Sequence, residues 1–169
     1  MVANGDTACG MRYRTRQRAA RDPMTRTILT YGTFDLFHIG HLKILERARA
    51  LGDRLIVGVS TDGFNATKGK KCVIPFEHRR DIVAALRCVD LVIAEEDWEQ
   101  KVEDIRAHGV HVFAMGDDWQ GHFDFLGEHC EVFYLSRTPE ISTTLIKTDL
   151  GPERRDHLET VTREVGPGL

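Results

Sequence analysis

The chain is short of the features that would assign it to several common classes. It has no apolar run near the length of a membrane span and no secretory leader pattern, so a cytoplasmic location is the expectation. Its four cysteines, Cys9, Cys72, Cys88 and Cys130, form no Cys-x-x-Cys pair. That spacing argues against a zinc site and a redox dithiol and leaves free thiols, with Cys88 and Cys130 packing as small hydrophobes. No Gly-x-Gly-x-x-Gly follows any strand-like run and no Walker A sequence occurs, which points away from hydride transfer and from P-loop chemistry. The middle of the chain carries no basic stripe, and a net charge of −3 argues against general nucleic-acid binding. There is no internal repeat.

What is present is an alternation. Residues 1–25 stand apart as a basic arm in which Arg12, Arg14, Arg16, Arg18 and Arg21 alternate with small or polar residues, and disorder is the expectation there. Met24 is a candidate alternative start. Thr27–Tyr31 reads as a strand, and a helix follows over about 40–51 with Gly52 as its C′ residue. Arg54–Ser60 is a β-branched, buried-strand run. A polar loop from Thr61 to Val73 leads to Pro75 at a helix start, with Ile82, Val83 and Leu86 as the apolar face. Leu91–Ile93 reads as a third strand, and Trp98, Val102 and Ile105 as a helical stripe ended by Gly109. Strands over Val110–Met115 and Val132–Leu135 and a short helix opened by Ser142 complete the pattern. Strands alternating with helices predict a single α/β domain over residues 26–150, a Rossmann-like parallel five-stranded sheet with helices on both faces. Residues 151–169 read as a polar extension, loose or weakly helical.

Gly32-Thr-Phe-Asp-Leu-Phe-His-Ile-Gly40 and His41 sit where the first strand turns into the first helix. A glycine admits a ligand close to the backbone, and the amides of a helix start present donors and a positive dipole to an anion. His38 and His41 can both turn toward a phosphate bound there. A metal site is the competing reading, but Asp35 is the single carboxylate nearby and no third histidine stands at ligand spacing. His108 and His111 repeat the spacing without the glycine turn and read as plain surface. Arg137 to Thr144 makes a second anion site, with an arginine fork followed by hydroxyls at a helix start and Ser142 as N-cap. Lys68, Lys70 and Lys71 lie in a polar loop, and a run of that kind is usually a solvated tip.

Taken together, Gly32–Asp35, His38–His41 and Arg137-Thr-Pro-Glu-Ile-Ser-Thr-Thr144 resemble the two signatures of the nucleotidylyltransferase superfamily, in its cytidylyltransferase branch. Trp98–Lys101, Met115–Trp119 and Phe123–Leu126 narrow the resemblance to bacterial glycerol-3-phosphate cytidylyltransferases, from about Thr25 to about Leu150. The resemblance implies a Mg²⁺-dependent transfer of CMP from CTP to sn-glycerol 3-phosphate, the metal carried mainly by the CTP phosphates, in a homodimer that feeds teichoic acid or a related polymer. It implies His38, His41, Lys70 and Arg137 as catalytic. CTP contacts fall on Thr33, Phe34, His38, Ile39, Gly40 and His41 in the first motif, and on Lys70 and Asp118 between the motifs. In the second motif they fall on Arg137, Thr138, Ile141, Ser142, Thr143 and Thr144. Lys68 and Lys101 align with acceptor contacts. Asp35, Arg79, Arg87 and Asp90 also match family positions, and Arg87 with Asp90 reads equally as a structural ion pair. One position departs: Glu140 stands where the family carries glycine, beside Pro139. Other acceptors (another phosphorylated alcohol, FMN or a sugar phosphate) and a non-catalytic CTP-binding regulator stay open at this stage.

Overall fold

The computed structural model describes residues 25–139 and 141–165. The basic arm through Met24, Cys9 and Glu140 therefore lie outside the described residues. The elements are β1 (Thr27–Gly32), α1 (Ile39–Arg49), β2 (Arg54–Ser60), α2 (Asp62–Thr67), α3 (Phe76–Ala84), β3 (Leu91–Glu95), α4 (Gln100–His108), β4 (Val112–Gly116), β5 (Glu131–Leu135) and α5 (Thr143–Glu164). Two 3-10 turns, Asp117–Trp119 and Asp124–Glu128, connect β4 to β5. All strand pairs are parallel, in the order β3-β2-β1-β4-β5.

The central strands are buried on both faces, so alternate residues of one strand feed two cores. Ile28, Leu55, Val57 and Ala114 face Leu45 and Ala48 of α1 and Val83 of α3. Leu29, Ile56 and Phe113 face Ile105 of α4 and the Phe123 and Leu126 rim of the connection. Each fully buried aliphatic side chain contributes about 1.5–3 kcal/mol, so these two clusters dominate the stability of the sheet. Cys88 packs at the margin of the first core and Cys130 at that of the second, and Cys72, Cys88 and Cys130 are free thiols.

The topology itself places the cleft. The chain passes from β1 to β2 on one side, and β4 then returns to the other side of β1, making a switch point. The β1–β2 ladder runs through to Gly32↔Val59, whereas the β1–β4 ladder pairs only Ile28↔Val112 and Leu29↔Phe113. Beyond Leu29 the two central strands separate, and the carboxyl end of the sheet opens there.

Four local expectations need correction. Gly52 is not a left-handed C′ residue: α1 ends at Ala50 in right-handed geometry. Gly52 is required by space instead, because a Cβ there would meet Ile28 Cδ1 at 2.2 Å and the Arg26 carbonyl at 2.6 Å. The polar stretch after β2 is not a simple loop but contains α2, capped at its start by Thr61 Oγ1, which accepts from the Phe64 amide. Ile82 is 43% exposed, so α3 buries Val83 and the sheet side only. The final helix is also longer than expected, running to Glu164 across a kink at Gly151 and Pro152. Lys71 meets Glu159 of that extension at 2.8 Å. Among the described residues no helix is long and apolar enough to cross a membrane.

Candidate active site

Two adjoining cavities of about 430 and 230 Å³ occupy the opening at the carboxyl ends of the strands. The smaller is bounded by His38, Gly40 and His41 on one side and by Arg137, Thr138, Ile141 and Ser142 on the other. The larger reaches from Asp35 to Lys68, Lys70, Glu95, Trp98 and Lys101. Thr33, Phe34, His41, Asp118, Thr143 and Thr144 border both, so this is one continuous cleft with two ends.

The turn after β1 is shaped by Asp35. Phe34 and Leu36 both take positive φ (53° and 46°), a conformation that costs a non-glycine residue about 1–3 kcal/mol each. Asp35, 2% exposed, offsets this by accepting from the Leu36, Val73 and Ile74 amides at 2.9–3.1 Å and by pairing with Lys147 at 2.7 Å. The Phe34 ring lies over Gly32, where a Cβ would approach its ring carbons at 2.8 Å. Asp35 thus holds the turn, with its oxygens committed to protein.

His38 is the N-cap of α1, an unusual residue for that post. Its Nδ1 accepts from the Gly40 amide at 3.1 Å, and His41 Nδ1 accepts from the His38 amide at 3.4 Å. This reciprocal capping box stacks the rings at a centroid distance of 3.9 Å. With a backbone N–H on each Nδ1, the hydrogen-bond pattern assigns the ring proton to Nε2. Burial lowers the pKa of His38. His41 is pulled down to about 4, first by burial and then by the adjacent His38, with Asp35 opposing. Both rings are therefore neutral donors near pH 7. Gly40 spends its amide inside the box and makes room for it: a Cβ would meet the His38 ring at 2.8 Å and Ile141 Cγ2 at 3.1 Å. Ile39, by contrast, is 51% exposed and borders neither cavity.

The second motif is tied directly to the first. Thr143 Oγ1 donates to the Asp35 carbonyl at 3.0 Å and lies 3.5 Å from His38 Nε2. Ser142 is the N-cap of α5, its Oγ accepting from the Leu145 amide, so its hydroxyl serves the helix. The amides at Thr143 and Thr144 open the helix beside the cleft, where an anion is favoured. Arg47 on α1 donates to the Ser136 carbonyl at 2.7 Å and to Thr138 Oγ1 at 3.3 Å, holding the strand end that carries Arg137. Asp118 borders both cavities, and Gly116 leaves it space, since a Cβ there would fall 2.5 Å from Asp118 Oδ1.

At the far end, α2 closes with a Schellman motif. The Gly69 amide reaches the Ala66 carbonyl and the Lys70 amide the Asn65 carbonyl, with Gly69 at φ 66°. The turn sends Lys68 inward and leaves Lys70 exposed at the cavity edge. Lys68 Nζ donates to Ser60 Oγ at 3.2 Å, lies 3.8 Å from Glu95 and sits 3.9 Å over the Phe64 ring. Lys101 is 1% exposed and pairs with Glu95 at 2.8 Å, against the faces of Tyr31 and Trp98. Burial lowers the Lys68 pKa, with Glu95 pulling the other way. Lys101 is thus a buried helix residue, and Trp98 is a partly exposed wall (39%).

Other candidates prove structural. Arg79, 1% exposed, donates to the Ile74, Thr33 and Ser60 carbonyls and pairs with Asp62. Arg87 and Asp90 do not pair; Asp90 meets Arg49 at 3.5 Å and accepts from the Leu55 amide. His111 is more than plain surface, since its Nδ1 accepts from the Thr27 amide at 3.2 Å. Sequence reasoning missed Lys147, Arg47 and Glu95. Lys147 had a signal, because it stands four residues after Thr143 and so on the same helical face. Glu95 had a weaker one: it ends a parallel strand on the ligand side, but the apolar run that marks the strand stops short of it.

The comparisons with known proteins agree with this geometry. Residues 29–149 match the family model described as cytidylyltransferase-like. The glycerol-3-phosphate cytidylyltransferase of Bacillus spizizenii is 57% identical over 125 residues, covering 74% of this chain and 97% of that protein. The enzyme of the same name from Staphylococcus aureus is 52% identical over 125 residues, covering 74% and 95%. The fold is shared with the crystal structure of a lipopolysaccharide core biosynthesis protein from Thermoplasma volcanium (TM-score 0.59, 21% identity, 68% of this chain and 98% of that one). With both motifs, the segments between them and the fold in agreement, the chain belongs to the cytidylyltransferase-like family and, within it, to the glycerol-3-phosphate cytidylyltransferases.

Proposed function

We propose that the protein transfers CMP from CTP to sn-glycerol 3-phosphate, giving CDP-glycerol and pyrophosphate. The observation that carries this reading is the single cleft in which neutral histidine donors and a second-motif helix start face a pocket holding Lys68 and Lys101. An acceptor phosphate oxygen attacks the α-phosphorus, the new O–P bond forms, and the bond to the β-phosphate oxygen breaks in line with it. No protein nucleophile is required; positioning and charge stabilisation do the work. His38 and His41 donate from Nε2 to the phosphoryl oxygens, Lys70 and Arg137 neutralise the departing pyrophosphate, and Lys68 and Lys101 hold the acceptor phosphate.

Mg²⁺ enters this proposal with the triphosphate, where it supplies charge neutralisation to the leaving group. The donor set suits a phosphate-borne ion. Asp35 is engaged by three amides and Lys147, and Glu95 by Lys101 and Ser60. Asp118 is the cleft carboxylate with no such engagement among the described residues. A homodimer, a cytoplasmic location and a role in supplying teichoic acid or a related glycerophosphate polymer belong to the same proposal; light scattering at twice the chain mass supports the dimer, and the chain mass counts against it. The reaction is tested by pyrophosphate release from CTP and Mg²⁺ with and without sn-glycerol 3-phosphate, with the product weighed by mass spectrometry. Release that needs the acceptor and a CDP-glycerol mass are expected; acceptor-independent release, or release with ATP in place of CTP at equal rate, overturns it.

A further inference from the structure

A buried carboxylate is out of place, at first sight, in a cleft built for two phosphate-bearing substrates. Glu95 ends β3 at 3% exposure and faces the larger cavity. One oxygen accepts from Lys101 Nζ at 2.8 Å; the other accepts from the Ser60 hydroxyl and lies 3.8 Å from Lys68 Nζ. The two ammoniums come from different elements, Lys68 from the end of α2 and Lys101 from α4. Without an anion between them they would repel each other across a desolvated pocket, and a buried lysine readily gives up its proton. With Glu95 the trio carries a net charge of about +1 and a fixed geometry, and each ammonium keeps hydrogens to spare for a ligand. The aromatic walls at Tyr31, Trp98 and Phe64 leave these long side chains little other room.

Building on the proposed reaction, we propose that Glu95 is a positioning residue for the acceptor: it holds the Lys68 and Lys101 side chains aimed at the acceptor phosphate. Acceptor affinity, and not nucleotide affinity, then depends on the charge of Glu95. The separation follows from placement, since Glu95 borders the larger cavity beside Lys68 and Lys101, and the smaller one, where His38 and Arg137 lie, does not include it.

The test compares Glu95→Gln and Glu95→Asp with wild type. Glu95→Gln keeps the shape and a partner for Ser60 but removes the charge. It is expected to raise the acceptor KM roughly 10- to 100-fold, the range for losing hydrogen bonds to charged groups, with the CTP KM within about twofold. The alkaline limb of the acceptor kcat/KM profile is expected to move to lower pH. Lys68 faces Glu95 from β3, Lys101 from α4, and Lys70 and Cys72 from its own connection, and only Glu95 and Cys72 among these favour its charged form. Glu95→Asp keeps the charge and is expected to raise the acceptor KM less and leave the limb in place. An unchanged acceptor KM in folded Glu95→Gln, or a matching rise in the CTP KM, overturns the inference. If Glu95→Gln fails to fold, Glu95→Asp carries the test alone: an unchanged acceptor KM or a displaced limb overturns it. Calorimetric binding of sn-glycerol 3-phosphate separates the two claims. A wild type that binds it without turnover fails the proposed reaction only, whereas Glu95→Gln binding it as tightly as wild type fails this inference.

Discussion

The two ends of the cleft prepare for phosphate by opposite means. At the β1–α1 end the donors are uncharged: two imidazoles three residues apart, kept neutral by burial and locked by the His38 and Gly40 backbone amides, with helix amides of α5 beside them. At the β3–α4 end the donors are ammoniums, held in place by a carboxylate that reaches a β2 serine 35 residues away in sequence. A neutral N–H can follow charge as it develops on a transferring phosphoryl group without first being desolvated as an ion. A paired ammonium instead offers permanent charge to a substrate that arrives as an anion. The first arrangement suits a transition state, and the second suits a ground state.

Breaking the first end should give the largest effect. His38→Ala or His41→Ala is expected to lower kcat by about 10²–10³, the cost of losing one preorganised donor, while calorimetric CTP affinity changes much less. At the second end, Lys101→Met is expected to raise the acceptor KM roughly 10- to 100-fold with the CTP KM little changed. It should also lower the melting temperature, because Glu95 is left buried without its closest cation.

The contrast also explains what could be read in advance. The parallel sheet, the histidine turn and the capping of α5 by Ser142 rest on residues close in sequence, whose periodicity and capping chemistry are visible in one dimension. Glu95 and Arg47 become site-supporting residues through strand order and crossover, which place β3 and α1 beside segments far along the chain. The helix α2 hid inside a polar stretch because its stability comes from the Thr61 cap, buried Phe64 and Asn65 and a Gly69 closure, rather than from an apolar stripe. Arg79 matches a family position in sequence, and only the folded chain shows that its guanidinium binds three backbone carbonyls.

Two smaller effects sharpen the comparison. His41 has a folded pKa near 4, below the ordinary value of 6.5, so between those values the unfolded chain binds more protons. Its contribution to stability is therefore complete above about pH 6.5 and lost as pH falls toward 4. Melting temperature of the nucleotide-free protein should fall across that window, and less steeply in His41→Asn; equal slopes would remove the buried neutral ring from the account. Smallest of all, Lys71→Ala breaks an ion pair with Glu159 in which Lys71 is 73% exposed. A change in stability of no more than about 1 kcal/mol is expected from chemical denaturation.

The division of labour is tested most directly by steady-state kinetics with both substrates varied, on His38→Ala and Lys101→Met side by side. The account predicts a loss confined largely to kcat in the first variant and to the acceptor KM in the second. The same parameter moving in both variants would contradict it.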